Sequence, residues 1–368
     1  MKTNPPPKKI AFCITCMNRL CHLQQTLEKN ILDNYVPDDV EFVLLDYNST
    51  DGLGQWVQQN MQTYIDSGIL VYYKTTEPKV YQRSHSRNMA FRLANAEICC
   101  NLDADNFLGK GFAAFMIQEF ATHNGIFYTN NHSFNDTFGR ISVRYSDFEA
   151  VRGYNEALKS YGYEDNDFMN RLMRHGLQPV SFQDPEFYRY ISHSTENRVS
   201  EEYMAKNTHE MYIAYINPYT SIILLLYNDY TTEKYTLVDN LHVYGFSDEP
   251  YSVYESYLNE KIRIVIQGEV VKGTWSTKNN TVHILENGAL YSTNEESHTV
   301  DFNDITFHKV LDADFITQTF VTLTPAINFN EVCKQIQNQT VVNPDGFGIG
   351  KVFKNFSTAE FAIRQQRV

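Results

Sequence analysis

Apolar and polar positions in the first half of the chain follow two alternating patterns. Short, nearly continuous apolar runs are typical of buried strands, and longer stretches with apolar residues at helical spacing are typical of helices. The predicted strands are Lys9–Thr15, Glu41–Asp46, Ile69–Lys74 and Glu97–Leu102, and the predicted helices are Leu20–Leu32, Leu53–Ile65 and Ser84–Ala96. This order predicts an α/β fold with a mainly parallel sheet covered by helices on both faces.

The pattern changes from about Thr231 onward, where short strand-like runs are separated by turns rich in Gly, Asn and Asp. Such runs are Tyr235–Val238, Ile262–Ile266 and Thr281–Leu285. Gly273–Trp275 followed by Val282–Leu285 is typical of a hairpin. These features predict a β-rich region, a small sandwich or barrel, and a helical pattern returns at about Asn328–Gln337.

We therefore place a domain boundary near Asn217 and Pro218. The chain is then an α/β domain over 1–217 and a smaller β-rich domain over 218–368, as a length of 368 residues allows. No motif indicates a role for the second domain. Ligand binding, oligomerisation and partner docking stay open there, and plain packing explains its residues equally well.

Composition and charge narrow the range of partners. Hydrophobic residues make up 42% of the chain and charged residues 20%, so a sizeable core is expected and global disorder is excluded. Lys and Arg number 31 against 44 Asp and Glu, which gives a formal net charge of −13. Electrostatic binding to nucleic acid or to anionic membranes needs clustered basic residues, and none occur. A peripheral membrane contact through aromatic residues stays open.

The first residues of the chain and the pattern of cysteines indicate a reducing compartment. The first residues contain no apolar h-region, and the longest apolar run, Ile222–Leu226, is too short to span a bilayer. The six cysteines show no disulfide framework. Cys13 and Cys16 form a CxxC pair inside a strand-like run without a second pair to complete a zinc site, so we interpret them as packing residues. We expect a cytoplasmic protein without a transmembrane segment.

Candidate chemistry begins where the fourth predicted strand ends. Asn101-Leu102-Asp103-Ala104-Asp105 closes that strand, and residues two apart on a strand point the same way. Asp103 and Asp105 are therefore expected to project together from the carboxyl edge of the sheet, where ligands bind in such folds. Two convergent carboxylates suit Mg²⁺ or Mn²⁺ with a phosphate; the alternative is an exposed acidic turn.

A second acidic segment begins a predicted helix over Glu164–His175, which Gly176 ends. Glu164 and Asp165 stand at the positive end of that helix. They either satisfy the helix dipole or supply a general base within reach of a hydroxyl group. His193 follows later, and a single histidine there is either structural or a metal ligand.

Together these motifs resemble a GT-A glycosyltransferase of the family 2 type. The residues that carry this likeness are Ile10–Thr15, Leu45–Gly52, Ser86–Asn88 and Leu102–Asp105. Gly153–Glu156, Tyr161–Asp167 and Arg171–Leu172 resemble the catalytic motif shared by β-1,4-galactosyltransferases and N-acetylgalactosaminyltransferases. His193 and Ser194 with Asn197 resemble the galactosyltransferase segment that holds a metal-binding histidine. The resemblance covers about residues 8–200.

The resemblance implies a nucleotide-sugar site at the matching positions. Thr15 and Arg19 would lie beside the nucleotide, and Asp46 would contact the uracil or ribose. The remaining donor-binding positions would be Arg83, Arg87 and Asn88.

The resemblance also implies catalytic and metal-binding roles. Asp103 would hold the ribose or the metal, with Asp105 and His193 as direct metal ligands. Asp165 would be the catalytic base, and Glu164 would bind the donor or acceptor sugar. The implied cofactor is Mn²⁺ or Mg²⁺. The implied partners are a UDP-sugar donor, with galactose or an N-acetylhexosamine favoured, and a glycan acceptor.

Two positions depart from the galactosyltransferase pattern. Tyr161-Gly162-Tyr163 replaces a Trp-Gly-Gly run, so the donor and acceptor preferences need not follow that family, and Met17 replaces an arginine near the phosphates. The predicted reaction is transfer with inversion, because the base and the metal would lie on opposite sides of the anomeric carbon. Analogy alone suggests surface polysaccharide synthesis.

Two other functions stay open at this point. A nucleotidyltransferase shares a nucleotide-binding sheet and an acidic metal site, although Thr15–Arg19 lacks the glycines that hold a triphosphate. A non-catalytic carbohydrate-binding protein on the same scaffold would use the many tyrosines for stacking, although it would not need all four carboxylates of Asp103, Asp105, Glu164 and Asp165.

Overall fold

The computed structural model describes residues 6–130, 136–217, 220–238, 265–266, 271–278, 281–286, 289–294, 298–302 and 305–363. The chain forms two compact units. The first contains the residues up to Lys159, Tyr163–Ser194, and the residues from Gln335 onward. The second contains Ser160–Gly162 and Thr195–Lys334.

The strands and helices have the following bounds. The strands are β1 (Lys8–Cys16), β2 (Val40–Tyr47), β3 (Leu70–Thr75), β4 (Ala96–Asn101), β5 (Ile126–Thr129), β6 (Ser142–Arg144), β7 (Gln178–Ser181), β8 (Thr208–Asn217), β9 (Thr220–Tyr227), β10 (Thr231–Val238), β11 (Val265–Ile266), β12 (Val271–Lys278), β13 (Thr281–Glu286), β14 (Ala289–Asn294), β15 (Thr299–Phe302), β16 (Ile305–Lys309), β17 (Gly350–Lys354) and β18 (Glu360–Ile363). The helices are α1 (Leu20–Asn34), α2 (Leu53–Asn60), α3 (Gln62–Asp66), α4 (Arg83–Leu93), α5 (Phe112–Thr122), α6 (Tyr145–Ala150), α7 (Glu164–Arg174), α8 (Thr195–Val199), α9 (Tyr203–Asn207) and α10 (Ala313–Gln337), with a 3₁₀ turn at Pro185–Tyr188.

The first unit is built on a mixed, mostly parallel sheet in the order β18-β17-β3-β2-β1-β4-β6-β5-β7. β1 pairs in parallel with β2 and β4, and β2 with β3, in keeping with the predicted mainly parallel sheet. The antiparallel pairs are at the flanks, where β6 joins β4 and β17 joins β3. This confirms the predicted α/β fold, and it brings the carboxyl ends of β1 and β4 side by side.

Two apolar cores lie on the two faces of that sheet. Alternate residues of β1 supply them: Phe12 packs in the core with α1 and α5, whereas Cys13 packs in the core with α4, α6 and α7. Burial on both faces explains why the strands are continuous apolar runs. Cys13 and Cys16 are buried free thiols, in keeping with their interpretation as packing residues. The predicted helix Leu53–Ile65 is interrupted at Met61 and forms α2 and α3.

The second unit is an antiparallel sheet that closes on itself. The order β11-β10-β12-β13-β14-β15-β16-β8-β9 is completed by pairing of β9 with β10. Leu224 and Leu226 of β9 pack with Trp275 in one cluster. Ile223 and Leu225 pack in another cluster, which includes Phe320 and Leu323 of α10. The β-rich character and the pairing of β12 with β13 are as predicted. The predicted strand Ile262–Ile266 begins outside the described residues, which include only β11 of it.

The domain boundary differs from the sequence prediction. A division at residue 217 would place β8 in the first unit, but β8 pairs with β9 and β16 in the second. It would also place 335–363 in the accessory domain, whereas β17 pairs with β3 of the α/β sheet. The physical reason is that β3 would otherwise present an unpaired edge, which the β17–β18 hairpin covers. The helix predicted at Asn328–Gln337 begins earlier, at Ala313.

None of the helices in the described ranges is both long enough and apolar enough to cross a membrane.

Candidate active site

The site lies beyond the carboxyl ends of β1 and β4. Leu102 N–H donates to Cys13 O at 2.9 Å, which holds the exit of β4 against β1. β4 ends at Asn101, so Asp103 and Asp105 lie in the following turn rather than on the strand. The strand alternation expected for these residues therefore does not apply, and the two carboxylates contact different partners.

Asp103 belongs to a cluster of three carboxylates around Arg87 of α4. Nη1 of Arg87 donates to Asp165 Oδ1 at 2.7 Å and to Glu164 Oε1 at 3.3 Å, and Nη2 lies 3.5 Å from Asp103 Oδ1. Arg87 is 2% exposed, and its guanidinium lies over the Tyr154 ring with its carbon 5.3 Å from the centroid. The structure thus brings together the two acidic stretches, as the sequence predicts.

The sequence predicts that Arg87 lies close to the donor, but in the structure its guanidinium group contacts these three carboxylates. A buried arginine that holds carboxylates cannot also present that charge to a diphosphate, so Arg87 does not fit the role of a phosphate ligand. Asn88 is likewise occupied, since its Nδ2 donates to Tyr154 O and to Glu156 Oε1, both at 2.8 Å. Asn88 thereby joins α4 to the segment before α7.

Burial gives Asp165 an unusual proton affinity. Burial raises the pKa of Asp165 to about 7; the Arg87 charge opposes this rise, whereas the charges of Glu164 and Asp103 add to it. Glu164 is 3% exposed, and its Oε2 has no hydrogen-bond partner in the described part of the chain. Tyr163, which precedes both acids, has φ of 71°, in the left-handed region that favours glycine. A carboxylate with a pKa near neutrality suits a general base.

Gly139 leaves the space between these carboxylates open. A Cβ at this position would lie 2.9 Å from Arg87 Nη2, 3.1 Å from Asp165 Oδ2 and 3.3 Å from Asp103 Oδ2. Asp165 and Asp103 therefore face the same point, although they come from distant parts of the chain. A side chain at position 139 would push into this cluster.

Asp105 faces His193 instead. His193 Nε2 lies 2.8 Å from Asp105 Oδ2, and the rings of His193 and His22 meet edge to face at 5.7 Å between centroids. The hydrogen bond with Asp105 raises the pKa of His193. Burial would raise the pKa of Asp105, but the hydrogen bond and charge of His193 outweigh it, and the pKa is lowered. The predicted contact of Asp105 with His193 is therefore present.

The three predicted metal ligands do not form one cluster. Asp103 contacts Arg87, whereas Asp105 and His193 contact each other. Within the ranges that the structure describes, no group of three or more His, Cys, Asp or Glu side chains is arranged to hold a metal ion. A carboxylate oxygen facing an imidazole nitrogen is nevertheless a donor pair that suits Mn²⁺, so Asp105 and His193 fit this ion as two protein ligands.

Two further arginines lie near this edge. Burial and the neighbouring charge of Arg83 lower the pKa of Arg19, and the charge of Asp105 opposes this. Arg83 lies over the Tyr81 ring, 5.6 Å from its centroid, and the Tyr81 hydroxyl is 2.6 Å from Thr15 Oγ1. These two guanidinium groups repel each other beside the carboxyl end of β1 and the amino end of α4. Such a pair is suited to binding an anion between them.

Asp46 lies below the surface rather than in the site. It is fully buried; Ser49 N–H donates to its Oδ1 at 2.7 Å and the Tyr72 hydroxyl to its Oδ2 at 2.7 Å, with Lys74 Nζ at 3.6 Å from Oδ2. Both oxygens are therefore occupied inside the protein. Asp46 holds the turn after β2, and a direct contact with uracil or ribose does not fit this arrangement.

Several residues that support the site were not predicted from the sequence. Gly139 and Arg140 carry no recognisable motif. Asn106 directly follows the acidic pair, so its position was a signal. A stripe of buried polar residues on α1 at four-residue spacing was also visible, because it runs beside an apolar stripe: His22, Thr26, Asn30 and Asn34. The last three bond to the turn that carries Asp105 or to the start of α5.

The sheet order and the acidic residues beyond its carboxyl edge are similar to those of glycosyltransferases with the GT-A fold. Residues 11–179, a little under half of the chain, match the family described as Glycosyl transferase family 2. The segment contains most of β1, all of β2 to β4 and α4, and the acidic residues Asp103, Asp105 and Asp165. No curated protein matches the chain.

Several solved structures are similar to part of the chain. The mannosyltransferase PcManGT from Pyrobaculum calidifontis, solved with GDP-Man and Mn²⁺, is 18% identical over 49% of this chain and 56% of its own, with a TM-score of 0.41. S. aureus TarS with UDP is 16% identical over 52% and 62%, with a TM-score of 0.42. The Drosophila β1,4-galactosyltransferase 7 catalytic domain with xylobiose is 13% identical over 53% and 74%, with a TM-score of 0.36. The chain thus spans less than two thirds of the length of the first two.

Proposed function

We propose that the protein transfers a hexose from a UDP-sugar to a glycan hydroxyl with inversion, and that galactose or an N-acetylhexosamine is the sugar. The observation that carries this proposal is the convergence of Asp165 and Asp103 on the space beside Gly139, each within 3.3 Å of one point. One of these carboxylates follows the central strand β4, and the other lies in the first turn of α7. A base on one element facing a donor site on the other is the arrangement that sugar transfer requires.

Asp165 is the proposed base. A sugar hydroxyl is a weak nucleophile, so a carboxylate must accept its proton as the new bond forms. With a pKa of about 7, Asp165 is largely ionised at slightly alkaline pH and still holds a proton well. The bond from Arg87 to Oδ1 fixes the carboxylate, while Oδ2 faces the open space beside Gly139. Glu164, with one buried oxygen unpaired, is the proposed sugar ligand.

The leaving diphosphate needs positive charge, and this chain offers it in two places. Arg19 and Arg83 are the proposed diphosphate ligands, because an anion between them would relieve their mutual repulsion. Asp105 and His193 would hold Mn²⁺ or Mg²⁺, and a divalent cation bound there would neutralise the negative charge of the leaving group. Thr15, at the end of β1, would lie beside the nucleotide.

A donor panel tests the proposed function. The wild-type protein would be mixed with Mn²⁺ and UDP, UDP-galactose, UDP-glucose or the N-acetylhexosamine forms, and binding and released UDP would be measured. We expect one UDP-sugar to bind and to release UDP when a glycan acceptor is added. Asp165→Asn should lower turnover by about 10²- to 10⁴-fold while leaving UDP binding nearly intact.

Three outcomes would contradict the proposal. Release of pyrophosphate from a nucleoside triphosphate would instead indicate a nucleotidyltransferase. Glycan binding without turnover by any donor would indicate a carbohydrate-binding protein. Unchanged turnover in Asp165→Asn would remove Asp165 from the role of base.

A further inference from the structure

The two oxygens of Asp105 have different neighbours. Asn106 Nδ2 donates to Oδ1 at 2.8 Å, and His193 Nε2 lies 2.8 Å from Oδ2. Asn106 is fully buried, so water does not compete for this bond. One oxygen of Asp105 is therefore held inside the protein, and the other is directed at the histidine.

A buried arginine dictates which end of the Asn106 amide faces Asp105. Nη2 of Arg140 donates to Asn106 Oδ1 at 3.0 Å, and a guanidinium can only donate. The amide oxygen must therefore face Arg140, and the NH₂ group must face Asp105. Arg140 is 1% exposed, and burial lowers its pKa to about 10, so it keeps its proton at neutral pH.

The same arginine is itself held from several sides. Arg140 Nη2 also donates to Phe107 O at 3.0 Å, and its Nη1 donates to Phe187 O. The turn has further backbone anchors, since Asn30 Nδ2 donates to Asn106 O at 2.9 Å and Ile191 N–H donates to Asp105 O at 2.8 Å. The relay from Arg140 through Asn106 to Asp105 is thus fixed from both ends.

We propose that Arg140 and Asn106 are positioning residues that reserve a single oxygen of Asp105, Oδ2, for a divalent cation. This inference rests on the proposed function, because it concerns the same metal. A site that offers one carboxylate oxygen and one imidazole nitrogen suits Mn²⁺. It disfavours Ca²⁺, which takes six to eight oxygen ligands and readily uses both oxygens of a carboxylate. The relay therefore sets cation selectivity as well as affinity.

The test measures binding of the cations themselves, with and without UDP. Free Mn²⁺ would be followed by its paramagnetic resonance signal, and Ca²⁺ would be added as the competitor. In Asn106→Leu, Oδ1 of Asp105 loses its donor. We expect the Kd for Mn²⁺ to rise about 10- to 100-fold and the ratio of the Ca²⁺ Kd to the Mn²⁺ Kd to fall about tenfold.

A second variant covers the case in which Asn106→Leu does not fold. Asn106→Asp keeps an oxygen for Arg140 but has no N–H for Asp105, so the ratio of the two Kd values should fall here too. The matched control is Asn34→Leu. Asn34 belongs to the polar stripe of α1. Its Nδ2 donates to Gly109 O and its Oδ1 accepts from Ala113 N–H, both at 2.9 Å. Its loss should lower stability and leave the ratio unchanged.

The outcomes separate this inference from the proposed function. If the wild-type protein binds Mn²⁺ but the ratio is the same in both Asn106 variants, the relay does not set selectivity and the inference fails alone. If Asn34→Leu changes the ratio as much as Asn106→Leu does, the effect is general destabilisation, and the inference also fails. If the wild-type protein binds no Mn²⁺ with or without UDP, the proposed metal site fails and takes this inference with it.

Discussion

Arg87 and Asp165 are joined by a 2.7 Å hydrogen bond between Nη1 and Oδ1, although 78 positions separate them in the sequence. The bond connects α4, which packs on the sheet, with the first turn of α7. It has two consequences. The bond holds the carboxylate in one orientation, and the positive charge of Arg87 limits the rise in pKa that burial imposes on Asp165.

The first prediction is that loss of this arginine destabilises the fold in a pH-dependent way. In Arg87→Met, Glu164 and Asp165 are left buried without their cation, which should lower the free energy of unfolding by about 3–5 kcal/mol near neutral pH. The folded-state pKa of Asp165, already raised by burial, would then lie well above its unfolded value. The penalty is therefore full above the folded pKa and shrinks as the pH falls through it.

Urea denaturation at about pH 8 and about pH 5.5 measures this difference. Arg152→Met is the matched control, because Arg152 donates to the backbone carbonyls of Val342 and Asn343. Its destabilisation should be similar at both pH values. An equal loss at both values for Arg87→Met would show that the buried acids are not what the arginine stabilises.

The second prediction concerns the pH dependence of transfer. Asp165, the proposed base, can accept a proton only when it is ionised, and burial raises its pKa to about 7. The value of kcat/KM should therefore rise with pH, with a midpoint near 7, and level off above it. The profile would be measured at saturating Mn²⁺ so that metal binding does not limit the rate. A rate that does not change from about pH 5.5 to about pH 8 would contradict the raised pKa of the base.

The local pattern of the sequence was enough to predict the α/β part of the fold. β1 to β4 and their parallel pairing could be predicted because buried parallel strands are continuous apolar runs. The return of residues 350–363 to the first sheet could not, because an edge strand paired by a distant hairpin leaves no local signal. The break at Met61 was missed for a similar reason, since the apolar spacing continues through it.

The acidic residues of the site could be predicted from the sequence, but the residues that hold them in place could not. Asp103, Asp105 and Asp165 stand at element boundaries, where the sequence marks a change of pattern. The partner of each acid depends on tertiary packing, and so the assignment of Arg87 to the carboxylates instead of the donor could only come from the structure. Arg140 and Gly139 act through their position in space, and nothing in their sequence neighbourhood indicates it.

The third prediction is that Gly139→Ala impairs transfer more than stability. The new Cβ would lie 2.9 Å from Arg87 Nη2 and 3.1 Å from Asp165 Oδ2, so it would displace the base by a few tenths of an ångström or more. Because catalysis depends on such placement, turnover should fall by about 10- to 100-fold. Circular dichroism and thermal unfolding would check that the fold is retained.

Gly350→Ala is the matched control for that variant. Its Cβ would come equally close, 2.9 Å, to another atom, but that atom is the flexible end of Met89. Stability should change little, and turnover should stay near the wild-type value. If Gly139→Ala also keeps wild-type turnover, the space beside Gly139 is not where the reacting hydroxyl lies.

The fourth prediction distinguishes a structural Asp46 from a nucleoside ligand. Both of its oxygens are bonded within the protein, to Ser49 N–H and to the Tyr72 hydroxyl. Asp46→Asn should therefore lower the free energy of unfolding by about 1.5–3 kcal/mol, the contribution of hydrogen bonds to a buried charged group. Tyr72→Phe removes one of these bonds and should cost less. UDP affinity, measured by calorimetry on the folded protein, should change by no more than about threefold in either variant. The opposite result, a large loss of UDP affinity in Asp46→Asn with unchanged stability, would mean that the carboxylate leaves its buried partners to bind the nucleoside, as the sequence motif implies.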